Sequence, residues 1–275
     1  GKNEVLVIVP KFINFHAGWL IRETETYNVF RFDRYSVWLG DAPAELLQEI
    51  EFKKEFDATL DGLSLTFPEE DRLAVKERLR DHIRDIQKTT ASVIRGHEFR
   101  IIAEMIEAGC LPFTSRPVRK EDLRDPRADI TLREYQQAAF DKFLQTGAVG
   151  IFHPTGAGKS IIAMKIADVI KGPKLIVVPT TTLRDQWNRY LDEWLPHIKS
   201  EITVATYMTG KPALQEWSLI IYDECQHLPA NSFSGLSLLR TKYRLGLSAS
   251  PYREDGRESY IIALTGFPVG VNWAE

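Results

Sequence analysis

The spacing of apolar residues changes character near residue 130. Before it, Val5-Leu6-Val7-Ile8-Val9 is a short apolar run, and Tyr27-Asn28-Val29-Phe30-Arg31-Phe32 alternates apolar with polar. Both predict strands, the second with one exposed face. Ala44 to Phe56 predicts a short helix. From Pro68 onward, Leu73, Val75, Leu79, Ile83 and Ile86 fall roughly at helical spacing and predict one long helix. Its interleaved acids and bases read as a solvated face. A second helix is expected over Glu98–Glu107, ending at Gly109. Phe113 to Arg127 is polar, contains Pro117 and Pro126, and has no period. It reads as a linker, taken as 113–129, between an N-terminal unit (1–112) and a C-terminal one (130–275).

From Ile130 the order is regular. Thr131-x-x-Glu134 is a capping-box pattern opening a helix to Leu144, closed by Gly147. Strands are expected at Gly150–His153, Leu175–Val178, Ile202–Thr206, Leu219–Tyr222 and Tyr243–Ser248, with a helix over Thr182–Leu195. Alternating strands and helices imply an α/β fold with a parallel sheet, whose ligands gather at the carboxyl ends of the strands. The smaller N-terminal unit is expected to be mixed α/β.

Bulk properties narrow the chemistry. With 275 residues the chain can form two domains, each burying a core. A net charge of −3 gives no support to a generic basic nucleic-acid binder, so any such binding must be local. The two cysteines, Cys110 and Cys225, lie far apart, which suggests a reducing compartment and no disulfide framework. Neither they nor the six scattered histidines have zinc spacing. No apolar run has membrane-spanning length. The start, Gly-Lys-Asn-Glu, lacks a secretory signal, and its first glycine reads as a cloning remnant. A cytoplasmic protein, or a nuclear one if eukaryotic, is expected.

The chemistry concentrates in two runs. His153-Pro154-Thr155-Gly156-Ala157-Gly158-Lys159-Ser160 follows an apolar stretch and opens into a helical one, the setting of a phosphate-binding loop. Gly156 and Gly158 allow backbone N–H groups to turn inward around phosphate oxygens, and the helix behind them points its positive end at the same anion. Lys159 would reach the β/γ-phosphates of ATP and Ser160 would hold Mg²⁺. His153 departs from the pattern, which begins with glycine. In Leu219-Ile220-Ile221-Tyr222-Asp223-Glu224, an apolar strand ends in two acids: Asp223 to share the Mg²⁺, Glu224 to orient the attacking water. A nucleoside kinase fits less well, because it also needs an acceptor-substrate lid.

Asp223-Glu224-Cys225-Gln226-His227 resembles motif II of superfamily 2 helicases. Leu132-Arg133-Glu134-Tyr135-Gln136 resembles their adenine-side motif, Val177–Leu183 their motif Ia, and Ser248-Ala249-Ser250 their motif III; Thr206-Tyr207 falls where motif Ib would. Arg253-Glu254-Asp255, and Leu228-Pro229-Ala230 after motif II, are similar to the XPB family of repair and transcription helicases. The resemblance covers about residues 130–260. It implies a RecA-like P-loop domain that uses ATP and Mg²⁺ to move on duplex, forked or damaged DNA, with a nuclease or a transcription or repair factor as a protein partner. It implies Lys159, Asp223 and Glu224 as catalytic residues and Arg133, Gln136 and Thr155 to Ser160 around the nucleotide. Thr180, Thr181, Arg184, Thr206, Gln226, His227, Ser248, Ser250, Arg253, Glu254 and Asp255 would serve DNA binding or coupling. The N-terminal part would stand where the family has its damage-recognition region, although no motif matches there. Motif II carries Gln226 where the family usually has His. No motifs IV to VI follow, so the chain is expected to be the N-terminal half of a motor.

Several positions keep two readings. Gln136 suits an adenine edge or a solvent-facing helix position. Thr180–Thr182 suit phosphate contacts, helix capping or both. Arg184 is a phosphate contact or a surface charge, and Arg253–Asp255 read alone as a solvated turn. Trp187, Tyr190 and Trp194 share a helix face and read as core. Trp19 and Trp38 suit either core or base stacking. His16, His82 and His97 receive no role. A phage- or restriction-type translocase of the same superfamily is the second enzyme reading, and a nucleotide-dependent DNA-binding scaffold without motor activity is the reading from another class.

Overall fold

A computed structural model describes residues 4–13, 15, 18–39, 44–49, 54–207, 216–228, 236–237, 239–253 and 255–270. Glu254, His16, Pro229 and Ala230 lie outside them. The chain opens with β1 (Glu4–Pro10), β2 (Trp19–Glu23), β3 (Tyr27–Asp33), α1 (Arg34–Leu39) and α2 (Ala44–Glu49). β1 to β3 form an antiparallel sheet in the order β1-β3-β2, with Phe30 and Phe32 buried beneath it. Leu6 and Ile8 stand exposed on the β1 edge.

A second small unit follows: β4 (Thr59–Asp61), β5 (Ser64–Thr66), α3 (Arg72–Leu79), β6 (Ile83–Arg84), β7 (Thr90–Val93) and α4 (Glu98–Glu107). Its sheet runs β4-β5-β7-β6, antiparallel throughout. The long helix expected from Pro68 stops at Leu79. Val75 and Leu79 are buried as helix residues, but Ile83 is buried as a strand residue paired with Val93. A turn between helix and strand can keep apolar residues four apart, so period alone does not separate the two. The helix expected over Ala44–Phe56 is likewise shorter, and Phe56 packs into the core under this second sheet.

The C-terminal half is α5 (Glu134–Thr146), β8 (Ala148–Phe152), α6 (Lys159–Val169), β9 (Lys174–Val178), α7 (Thr181–Trp194), β10 (Ile202–Thr206), β11 (Trp217–Asp223), β12 (Thr241–Ser248), α8 (Glu258–Thr265) and β13 (Phe267–Val269). Its six strands are parallel, in the order β10-β9-β11-β12-β8-β13. This is the parallel α/β sheet the alternation predicts, with β13 and α8 added at the end. α5 begins at Glu134 rather than Thr131: the Gln136 side-chain oxygen accepts from Arg133 N–H at 2.9 Å and closes the first turn. Gly147, at φ 69°, ends it.

Because neighbouring strand residues point to opposite faces, the sheet has two cores. Val149, Ile151, Ile176, Ile221 and Leu247 meet α5, α6 and α7 on one side. Phe152, Leu175, Val177, Ile220 and Tyr222 meet α8 on the other, together with Phe99, Ala103 and Ile106 of α4 and Tyr35 of α1. α4 therefore serves two cores, since its Ile101 and Met105 pack under the second small sheet. The stretch 113–129 has little regular structure but is tied down along its length. Asp122 accepts from Tyr243 Oη at 2.8 Å and Lys242 Nζ at 2.7 Å, while Asp168 accepts from the N–H groups of Arg127 and Ala128 at 2.9 Å.

Candidate functional site

The carboxyl ends of β8, β12 and β11 lie side by side, because β12 runs between the other two. Each ends in one of the expected runs. After β8 the chain turns through His153–Gly158 and enters α6. Gly156 has φ 85° and Gly158 φ 76°, both in the left-handed region that favours glycine. A Cβ at Gly158 would stand 2.5 Å from Gln136 Nε2, whereas nothing lies within 4 Å of one at Gly156. The loop is thus closed on its α5 side and open at Gly156. Tyr135 Oη and Gln136 Nε2 both donate to Ala157 O, at 2.9 and 3.0 Å. Gln136 is buried, and its oxygen is engaged by Arg133 N–H; Arg133 itself is exposed. In this arrangement Gln136 supports the loop.

Lys159 is buried and folds back on its own loop, donating to His153 O at 2.7 Å and Pro154 O at 3.2 Å. Burial lowers its pKa, opposed by the nearby Glu224 and Asp223 carboxylates. Its two carbonyl partners can be exchanged for phosphate oxygens. Thr155 and Gly156 are exposed, while Ala157, Gly158 and Ser160 are half-buried. His153 is fully buried, with its ring 5.5 Å from that of Tyr135 and facing the backbone of Gly270. Burial, then the Lys159 charge, pulls its pKa down to about 4, so the imidazole is neutral.

Asp223 closes β11. Trp187 Nε1 on α7 donates to its Oδ2 at 2.7 Å, and Glu224 N–H to its Oδ1 at 3.0 Å. Burial raises the Asp223 pKa, and the indole N–H counters it. Trp187 is core, as its spacing predicts, but it also orients this carboxylate. The available signal was chemical: a buried indole N–H needs an acceptor. Tyr207, which with Thr206 falls at the motif Ib position, donates its hydroxyl to Asp223 O.

Glu224 sits at φ 48°, unusual for a residue with a side chain. It aims back along a polar chain: Gln226 Nε2 donates to Glu224 Oε2 at 2.5 Å, and Ser248 Oγ lies 2.6 Å from Gln226 Oε1. Ser250 N–H donates to Ser248 Oγ at 3.1 Å. Arg253 completes the group. Its Nη1 donates to Gln226 O and Leu228 O, both at 2.8 Å, and Nε and Nη2 hold the two Asp255 oxygens, both at 2.7 Å. Read alone in sequence, the triplet is a solvated turn; here the guanidinium, 7% exposed, is turned inward onto the motif II turn.

The other expected positions scatter along the same edge. Thr180 caps α7, accepting from Leu183 N–H at 3.2 Å, and it and Thr181 are exposed. Arg184 pairs with Asp185 at 3.2 Å. His227 is exposed. Thr206 is buried at the end of β10, so a contact through its hydroxyl requires it to move. A cleft of about 580 Å³ lies at the opposite ends of the strands, among Phe99, Phe113, Arg116, Lys242, Arg244 and Phe267, and contains none of these residues. No group of three or more metal-binding side chains occurs among the described residues, and no described helix is long and apolar enough to cross a membrane.

Residues 129–253 match the family model described as type III restriction enzyme, res subunit. The chain is 39% identical over 153 residues to the DNA 3'-5' translocase XPB2 of Sulfurisphaera tokodaii, covering 50% of this chain and 35% of the relative. It is 35% identical over 164 residues to the putative DNA 3'-5' helicase Rad25 of Halobacterium salinarum, covering 52% and 27%. Over these segments the chain is similar to XPB- and Rad25-type DNA helicases and translocases. The matched segments are thus about a third of these relatives' own length. Among solved structures, the UvsW helicase from bacteriophage T4 is similar at a TM-score of 0.48 and 14% identity, covering 78% of this chain and 98% of that one. Similarity to these helicases and translocases points to nucleotide use.

Proposed function

We propose that this chain carries the ATP site and part of the DNA track of an XPB-type DNA helicase or translocase. The observation that supports it most is the meeting, at one sheet edge, of an open phosphate loop and a buried carboxylate pair wired to the next strand. The open Gly156 turn and the loop-facing Lys159 amine fit a triphosphate, and Ser160 with Asp223 offers hard oxygen ligands suited to Mg²⁺. When bound, ATP with its Mg²⁺ supplies the phosphoryl group and neutralises its charge. Lys159 binds the phosphate oxygens, and the loop N–H groups orient them. Glu224 holds and deprotonates the attacking water. The Gln226–Ser248 link passes a change at Glu224 to the loop after β12.

The DNA track is assigned to Thr180, Thr181, Arg184, Thr206, Ser250 and the Arg253–Asp255 turn, all at the carboxyl edge where ligands of such sheets gather. DNA is proposed as the partner because the relatives are named for DNA translocation and unwinding.

Calorimetry with ATP and Mg²⁺ on the wild type and Lys159→Ala tests the nucleotide site. A micromolar to millimolar Kd, on the order of −4 to −8 kcal/mol, is expected for the wild type and a clear loss for the variant. Equal binding by both sinks the assignment.

A further inference from the structure

One aromatic residue of the motor half is enclosed by the beginning of the chain. Tyr252 follows the motif III turn, directly before Arg253, and is buried. Its hydroxyl donates to Asp33 Oδ1 at 2.8 Å and lies 3.3 Å from Ser36 Oγ. Its ring lies 4.9 Å from that of Trp19 and meets Tyr35 edge-on at 5.9 Å, and the Arg31 guanidinium sits 4.8 Å from its centroid. Asp33 is itself fixed: it accepts from Tyr35 N–H at 2.9 Å, and Arg31 lies 3.4 Å from it. Five residues of β2, β3 and α1 thus form a socket for a single side chain.

On its other side Tyr252 meets the nucleotide machinery. Its N–H donates to Ser250 Oγ at 3.1 Å, and Ser250 N–H reaches Ser248 Oγ, the partner of Gln226. The next residue, Arg253, grips the carbonyls of Gln226 and Leu228. Gln226 in turn holds Glu224, whose φ of 48° needs support from its surroundings. A guanidinium can brace a turn only if its own backbone is held: Arg253 N–H donates to Glu258 Oε1 at 3.4 Å, its carbonyl accepts from Gly256 N–H at 3.3 Å, and the residue before it is seated in the Tyr252 socket.

We infer that Tyr252 is a positioning residue for ATP hydrolysis, through which the N-terminal sheet sets the orientation of Glu224 by way of Arg253 and Gln226. The inference rests on the ATPase reading of the site. It gives the first strands of the chain a task apart from DNA recognition: whatever seats or unseats the Tyr252 phenol changes turnover without touching the nucleotide. Burial and the Asp33 carboxylate both push the phenol's pKa up, so the hydroxyl stays protonated and able to donate.

The test uses DNA-stimulated ATP turnover of the full-length protein, with nucleotide Kd measured separately. Tyr252→Phe keeps the ring and removes the hydroxyl. One lost hydrogen bond predicts a fall in kcat of about three- to tenfold with Kd for ATP unchanged. Trp19→Leu, made on the socket side, should lower kcat in the same way. In a Gln226→Ala background, Tyr252→Phe should have little further effect, because the route to Glu224 is already cut; a merely structural role would lower both backgrounds alike. Wild-type kcat in both socket variants, or an undiminished loss in the Gln226→Ala background, overturns the inference while leaving the ATPase reading intact. A wild type without ATP turnover overturns both.

Discussion

Trp187 and His153 show how one side chain can set the chemistry of a loop it does not belong to. With the indole removed, the buried Asp223 carboxylate loses its donor at Oδ2, and burial then favours its neutral form still more. A neutral acid is a poor cation ligand. Trp187→Phe is therefore expected to weaken Mg²⁺-dependent ATP binding about ten- to a hundredfold, as one lost hydrogen bond to a charged group predicts, with Mg²⁺-free binding unchanged. Equal loss with and without Mg²⁺, measured by calorimetry, would point to general misfolding of the site instead. His153 bears on stability. Its pKa is about 4 in the fold against 6.5 as the ordinary value. Below pH 6.5 the unfolded chain takes up a proton that the folded chain refuses, so stability falls as pH drops from 6.5 towards 4 and levels off below that. At pH 5 the loss amounts to about 2 kcal/mol relative to pH 7. His153→Leu should flatten that part of the profile in urea unfolding. A variant with the same acid slope as the wild type would exclude His153 as its source.

At the level of elements, the segment read as a linker is tied into the frame of the C-terminal sheet. Arg124 in it and Lys174 at the start of β9 both grip Glu201, and Lys174 is fully buried. The hydrogen bond from Arg124 holds the Glu201 pKa down to about 2 despite partial burial, aided by Lys174. The stability this contributes is present above pH 4.5 and is lost as pH falls from there to 2. Glu201→Gln leaves a buried ammonium without its carboxylate, and a cost of about 3 kcal/mol in urea unfolding near pH 7 is expected, the lower end of a broken buried pair. A cost below about 0.5 kcal/mol, typical of a surface pair, would mean that water screens this cluster. Charges at 124, 174 and 201 lie too far apart in sequence for any local pattern to pair them. Legibility follows the same line. Strands β8 to β12 and helix α7 were visible because each carries a local period and a capped end. β4 to β7 were not, since two to four residues are too few to display an alternation. α4 was found, but not its double role, because a helix apolar on two sides looks merely hydrophobic until both partners are known. The runs at 153–160 and 219–224 were legible because their chemistry is contiguous; the socket for Tyr252, assembled from residues 19 to 36, was not.

Over the whole molecule, the proposed DNA track has to work against a net charge of −3. The loops assigned to the track carry hydroxyls and N–H groups more than net positive charge: Arg184 is paired with Asp185, and Arg253 with Asp255. Hydroxyl and N–H contacts to phosphates position a duplex without reading its sequence and release few counterions. Fluorescence anisotropy with unrelated duplexes of equal length should therefore give similar affinities. The plot of log affinity against log salt should be shallow, equivalent to about one to three displaced cations. Thr180→Val together with Thr181→Val should weaken binding to all duplexes alike, with the slope nearly unchanged because no charge is removed. Arg184→Ala should reduce the slope by about one or less, since Asp185 already takes part of its charge. A steep slope, equivalent to seven or more cations, would place the DNA on a different and more basic face. Binding that ignores salt altogether would remove phosphates from the contact, and with them the track proposed at the ends of β9, β10 and β12.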